Sequence, residues 1–163
     1  MSPCDCVRIE THFVAKGVGR LLAWLLITLS LDLVTKEIIL RWMAEGTTRP
    51  LISGVFHLTH VQNPGVSFGL FPDGTLWFGL IGLVFTLLLI VWYYRWGKEL
   101  PWGYLATGLL AGGALGNVWD RLFRGYVIDF LDFRVWPVFN VADIAIVVGC
   151  GLIFWGIVRT EMK

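Results

Sequence analysis

Four long hydrophobic runs, at residues 20–43, 75–96, 102–120 and 141–158, alternate along the chain with polar, turn-rich stretches. The second, TLWFGLIGLVFTLLLIVWYYRW, continues uncharged until Arg95, long enough to cross a hydrocarbon core of about 30 Å as a helix. Trp92, Tyr93, Tyr94 and Trp96 form an aromatic belt at its far end. The first run, LLAWLLITLSL at 21–31, follows Arg8, Lys16 and Arg20, a layout shared with cleavable signal peptides. It continues through Asp32, Lys36 and Glu37 to Trp42 without a small-x-small cleavage pattern, so it is expected to be an uncleaved first helix behind a polar leader, residues 1–19. In the third run Gly108, Gly112 and Gly116 recur every four residues, which places small residues on one face for close helix contact. The pattern predicts an all-α integral membrane protein, one domain of four transmembrane helices.

Residues 44–72 are too polar to cross a bilayer. Within them VFHLTHV at 55–61, rich in β-branched and aromatic residues, predicts a short strand or hairpin at the surface, a small extramembrane β segment between helices 1 and 2. His57 and His60 are separated by an odd number of residues, which in an extended chain points them to opposite faces, and the further ligands of a zinc site are missing. NPGVSFGLF at 63–71 reads, on its residues alone, as a turn into the next helix.

Composition sharpens the class. Of 163 residues 56% are hydrophobic and 15% charged, against about a quarter charged in a soluble domain, and the mean hydropathy is +0.71. A net charge of +1 with no gathered basic surface excludes nucleic acid as a partner. Cys4, Cys6 and Cys150 imply neither a disulfide framework nor a CxxC-type metal site. Four spans put both termini on one side of the membrane. That side holds Arg8, Lys16, Arg20, Arg95, Lys98, Arg159 and Lys163, against Arg41, Arg49, Arg121, Arg124 and Arg134 opposite, a balance that places the termini in the cytoplasm.

Residues 112–143 then face outward. They crowd carboxylates, arginines and asparagines between two apolar runs, and ionisable groups so placed mark a functional site. Asn117, Asp120, Arg121 and Arg124 recur at three and four residues and share the end of the third helix, Arg124 reading as a snorkelling charge. Asp129 and Asp132 sit in the extended segment VIDFLDF on opposite faces, so one of them looks into a shared site. Asn140-x-x-Asp143 ahead of an apolar run has the form of a helix N-cap with an acid at N3, where the dipole stabilises a carboxylate. Asp32 and Lys36, at i and i+4, neutralise one another inside the first helix. Two carboxylates held close share one proton. One of them serves as base toward water while the other hydrogen-bonds the carbonyl under attack. Asp143 is the candidate ionised partner and Asp129 the protonated one.

Asp32 with Lys36, Asn63-x-Gly65-x-Ser67-Phe68, Gly112-Gly113-Ala114-x-Gly116-Asn117-x-x-Asp120-Arg121, Val127-x-Asp129-Phe130 and Phe139-Asn140-x-Ala142-Asp143 resemble, in order, the motifs of lipoprotein signal peptidase, the type II signal peptidase of bacteria. The resemblance spans most of the chain. Ser67 stands where many members have alanine, and Pro64 lies inside the asparagine motif. It implies an aspartic endopeptidase of the bacterial cytoplasmic (inner) membrane, monomeric among lipid. Its partner is a diacylglyceryl-modified prolipoprotein, cut just before the modified cysteine near the outer face. It needs no cofactor and no metal. It implies Asp129 and Asp143 as the catalytic pair, and Asn63, Gly65, Asn117, Arg121 and Asn140 as residues that hold substrate or order the site. Asp120 is expected to support Arg121. Phe130, Phe133, Trp136 and Phe139 in the 122–139 loop are expected to close over substrate, and residues 55–61 to form a platform on the membrane.

Three other readings remain at this level. A serine peptidase would use Ser67 with Lys36 as base, but Asp32 one turn away favours the charged amine. An ion or lipid transporter would use the buried charges as a path. A membrane scaffold would use the glycines and aromatics alone. The sequence VVGC at 147–150 looks like a lipobox, the family's substrate motif, by coincidence.

Overall fold

The chain is seen in a computed structural model that describes residues 3–65 and 74–162, with side chains from residue 17 onward. Ser67 and Phe68 of the asparagine motif, and the side chains of Cys4 and Cys6, lie outside the described residues. Four helices, α1 (Pro3–Trp42), α2 (Gly74–Arg95), α3 (Gly103–Phe123) and α4 (Val141–Glu161), combine with three strands, β1 (Thr48–Ile52), β2 (Phe56–Asn63) and β3 (Val127–Asp132). The helix of the first run extends back through the leader to Pro3.

Among the described residues three helical segments are long and apolar enough to cross a membrane: Gly17–Trp42, Thr75–Arg95 and Val141–Glu161. α3 has the same 21 residues as α4 but is not among them, because its glycines and the polar group Asn117, Asp120 and Arg121 dilute its apolar character. α3 is instead the inner helix. It packs against α1, α2 and α4, while α2 turns Trp77, Ile81, Leu87 and Leu88 outward.

The glycine stripe is what lets α3 take that place. A Cβ on Gly108 would stand 2.9 Å from the Leu21 carbonyl oxygen, one on Gly112 2.7 Å from that of Leu25, and one on Gly116 would collide with Asp32 Oδ2. On the other flank a Cβ on Gly113 would stand 2.5 Å from the Ala142 carbonyl oxygen. Backbones of α1 and α4 are therefore brought against α3 on both sides. Such close approach replaces the hydrophobic driving force that lipid cannot supply.

The expected hairpin is present as β1 and β2, turning through Gly54 at φ +74°, a left-handed value that glycine adopts without strain. The sheet is larger than that hairpin, however. β3, from the connection between α3 and α4, pairs antiparallel with β2 to give the order β1-β2-β3, with Asn63 opposite Val127 and Val61 opposite Asp129. Hydrogen-bonding demand explains the addition, since the polar backbone of β3 is satisfied by an existing strand. The sheet's apolar side covers Ile39, Met43, Ile128 and Phe130. Phe130 is thus core, which corrects its assignment to a closing loop: it points to the opposite face from Asp129. His60 is buried with Nδ1 2.9 Å from the Met43 carbonyl oxygen. No group of three or more potential metal ligands occurs among the described residues.

Gly116→Ala is expected to destabilise the fold by about 1–3 kcal/mol through overpacking against Asp32. Gly151→Ala, where nothing lies within 4 Å of an added Cβ, should leave it unchanged. Thermal melts of both variants in the same detergent check this, and equal melting temperatures would refute the packing argument.

Candidate active site

The chain breaks at Asn140 to begin α4. Its extended backbone (φ −132°) lets the side-chain oxygen accept from the Asp143 amide at 3.0 Å, while Asp143 Oδ2 accepts from the Asn140 amide at 3.2 Å. These reciprocal bonds are the capping box expected from the spacing. Asp32 on α1 adds a third tie, its Oδ1 accepting from the Ala142 amide at 2.9 Å. The first turn of α4 is therefore fixed from inside and from outside.

Asp129 reaches the same place from the sheet. Asn140 Nδ2 donates to Asp129 Oδ1 at 2.7 Å, and Asn63 Nδ2 donates to Oδ2 at 2.9 Å. Strand pairing sets Asn63 two residues from the partner of Asp129. The Gly65 amide, at φ +78°, donates to Asn63 Oδ1 at 2.9 Å and so turns the amino group of Asn63 toward the acid. The Asn140 carboxamide thus bonds the Asp129 carboxylate and the Asp143 backbone amide. Asp129 is 3% exposed, and burial pushes its carboxyl from 3.8 up to about 6; the Asn63 bond opposes that, the Asp143 charge adds to it, and Asn140 and Lys36 oppose it. Asp132, on the other face, accepts from Thr59 Oγ1 at 2.7 Å and from the Arg134 amide at 2.8 Å, which hold its carboxyl below the usual range.

α3 supplies the floor. Asn117 Nδ2 donates to Asp143 Oδ1 at 2.9 Å, and its Oδ1 accepts from Lys36 Nζ at 3.0 Å and from Asn140 Nδ2 at 3.2 Å. Arg121 donates to the Asn117 carbonyl at 3.2 Å, and its Nε lies beside Gly65, buried and unpartnered among the described residues. Asp120 does not support Arg121 as expected. Its carboxylate takes Lys36 Nζ at 2.9 Å, Arg124, and the Ile128 amide at 3.2 Å. Helix geometry explains the correction, since residues i and i+1 point about 100° apart while Arg124, one turn on, comes alongside. Arg124 is likewise no free snorkelling charge: it also pairs with Glu37 at 3.2 Å. The Asp32–Lys36 pair forms at 2.8 Å with both side chains fully buried.

Beside the acids opens an apolar cavity of about 460 Å³, lined by Phe133, Trp136 and Phe139 from the loop and by Ile144 and Val148 from α4, with Asp143 in its wall. Phe139 is stacked 5.9 Å from Phe133, which packs 4.8 Å from Phe56 on β2. The α4 wall was missed from sequence, where residues 147 and 148 drew attention only as part of a spurious lipobox. A signal was there: 144, 147 and 148 lie within about one turn of Asp143 on one face.

Residues 24–159 match the family model described as signal peptidase (SPase) II. The chain belongs to the signal peptidase II family. A lipoprotein signal peptidase of Halothermothrix orenii is 44% identical over 128 residues, covering 78% of this chain and 88% of that protein. One from Pelotomaculum thermopropionicum is 40% identical over 137 residues, covering 84% and 90%. A bacterial membrane enzyme solved by the in meso method at 1.9 Å superposes with a TM-score of 0.76 at 28% identity, over 86% of this chain and 93% of that one. The chain is therefore a multi-pass membrane hydrolase.

Because the folded state holds Asp129 neutral more readily than an unfolded chain does, its stabilising contribution is complete below about pH 3.8 and is lost as pH rises through about 6. The loss amounts to about 3 kcal/mol. Melting temperatures measured from pH 4 to 7 should fall more steeply for the unaltered protein than for Asp129→Asn. Parallel curves would show that Asp129 does not titrate in this range.

Proposed function

We propose that the chain is an aspartic endopeptidase that removes the signal peptide from bacterial prolipoproteins, cutting before a diacylglyceryl-modified cysteine. The observation that carries this reading is the Asn140 junction: its carboxamide donates to the Asp129 carboxylate and accepts from the Asp143 backbone amide, while its own amide donates to the Asp143 carboxylate. In this reading the two acids so tied act on a common water. Asp143, which accepts from Asn117 and from a backbone amide at a helix N-terminus, serves as the carboxylate that takes the water proton. Asp129, desolvated and with its carboxyl pushed up to about 6, is the acid on which the pair's shared proton rests, and it donates that proton as a hydrogen bond to the scissile carbonyl. Hydroxide adds to that carbon, the proton held by Asp143 passes to the departing nitrogen, and the peptide bond breaks.

The lipid and the signal helix both reside in the bilayer, so the acids belong at its edge. In this reading α3 crosses the membrane with the other three helices, its polar end shielded by α1 and α4. Both termini lie in the cytoplasm, the acids face the outer side of the bacterial cytoplasmic membrane, and the enzyme works as a monomer. The apolar cavity at Asp143 supports an apolar substrate portion. Asn63, Gly65, Asn117, Arg121 and Asn140 order the dyad or hold the peptide, and water is activated without a cofactor.

A Ser67–Lys36 mechanism finds no support, because the Lys36 ammonium is already held between Asp32, Asp120 and Asn117 and is shut off from solvent. Asp129→Asn and Asp143→Asn should each lower cleavage of a diacylglyceryl-modified precursor at least a thousandfold while the protein still inserts and melts cooperatively; about this much follows loss of a residue that acts in the transition state. Ser67→Ala and added chelator should change the rate less than about twofold. Turnover by either aspartate variant, or equal cleavage of an unlipidated precursor, would defeat the reading, and transport by the purified protein without cleavage would replace it.

A further inference from the structure

Lys36 takes no part in the reaction above, yet it is fully buried beside the site among three polar partners. Its ammonium hydrogen-bonds Asn117 Oδ1 at 3.0 Å and forms ion pairs with Asp32 Oδ2 at 2.8 Å and Asp120 Oδ2 at 2.9 Å. Each partner reaches one of the acids or the residue before it. Asp32 holds the amide of Ala142, just ahead of Asp143. Asp120 holds the amide of Ile128, just ahead of Asp129. Asn117 donates directly to Asp143.

Ammonium chemistry makes the third of these ties directional. Lysine offers donors and no acceptor, so the Asn117 atom that faces it has to be the oxygen, and the amino group is turned toward Asp143. Asn140 Nδ2, another donor, meets the same oxygen from the other side. Turned over, Asn117 would set its amino group against two donors and its oxygen against Asp143. That oxygen would be satisfied only by a proton on Asp143, and the two acids would exchange roles.

We propose, resting on the aspartic reading above, that Lys36 is a positioning residue for the reaction: by locking the Asn117 carboxamide in one orientation it keeps Asp143 the ionised acid and leaves the shared proton on Asp129. The charged groups around Asp143 are Asp129 from β3, Asp120 and Arg121 from α3, and Asp32 and Lys36 from α1. Among the described residues Lys36 is the one of these bonded to the amide that donates to Asp143.

The test is the pH dependence of kcat and KM for cleavage of a diacylglyceryl-modified precursor. Lys36→Met should move the acid limb upward by about one pH unit, an about tenfold loss of kcat below the limb, because the ionised pair is less well held. KM should stay unchanged, since a fully buried side chain cannot touch substrate. Lys36→Met leaves the buried Asp32 without its cation, while Asp120 keeps Arg124, so the charge-balanced Asp32→Asn/Lys36→Met is measured beside it; there residue 32 still offers an oxygen to the Ala142 amide. The same upward shift is expected. In an Asn117→Ala background, replacing Lys36 should move the limb no further, whereas a merely structural or long-range charge effect would persist. Infrared titration of the carboxyl stretch reads the same shifts without turnover, so slow variants still report. An unmoved limb in both Lys36 variants, or a full shift in the absence of Asn117, overturns the proposal. Failure of the aspartic reading is separately visible as cleavage by Asp129→Asn or Asp143→Asn in the same assay.

Discussion

The hydrogen bonds of the Asn140 side chain hold the site in one piece. As a helix cap Asn140 needs only its oxygen, which serves the Asp143 amide and is worth about 1 kcal/mol to the start of α4. Its amino group is then free for other work, and it goes to Asp129 on β3 and to Asn117 on α3. The residue is fully buried, so each of these bonds is made where an unpaired donor would cost about 1–3 kcal/mol. The position of a strand acid and the start of a helix cannot vary independently when one planar amide spans both. A local rule of helix termination thereby becomes a long-range rule about two carboxylates.

That arrangement requires α1 and α4 to come close, and the glycines of α3 make this possible. Asp32 on α1 bonds the Ala142 amide on α4, a link across 110 residues of chain. It passes where Gly116 and Gly113 present no side chain, one against Asp32 and the other against the Ala142 carbonyl. A methyl group at either point would push the helices apart and break the bond. Charges in an apolar surround have to find partners within the protein, and here every acid of the inner group has at least one. Small residues and buried charges are thus two aspects of one packing problem.

Features governed by near neighbours were legible in the sequence. The Asn140–Asp143 capping box, the Asp32–Lys36 pair, the glycine face of α3 and the hairpin around 55–61 all depend on spacing within one element, and spacing is what a sequence displays. Asp129 and Asp132 were separable for the same reason, since strand alternation sends one to Asn63 and the other to Thr59. What was not legible depends on which elements meet. Nothing local says that β3 joins β2, so Phe130 read as a loop aromatic instead of a core residue. Asp120 was matched to its chain neighbour Arg121, although a carboxylate on a helix looks one turn away, to Arg124, or across to another helix, to Lys36. The cavity wall on α4 was overlooked because an all-round apolar helix does not itself mark the face that lines a site; only the nearness of 144, 147 and 148 to Asp143 does.

The division of labour proposed for the two acids follows from the elements that carry them. Asp129 is on the middle of a strand pressed against helices, so water is excluded from it and its neutral form is favoured. Its two hydrogen-bond donors are neutral amides, which orient the carboxyl without supplying a full charge to offset desolvation. Asp143 occupies the first turn of a helix, where a free backbone amide and the aligned peptide dipoles face it, and it stands half-exposed at the mouth of a cavity. A strand position and a helix start differ in field even when the side chains are identical. Two aspartates in like surroundings would have no reason of their own to divide a proton unevenly; in the proposed reading, drawing them from a strand and from a helix start gives each its role before substrate arrives.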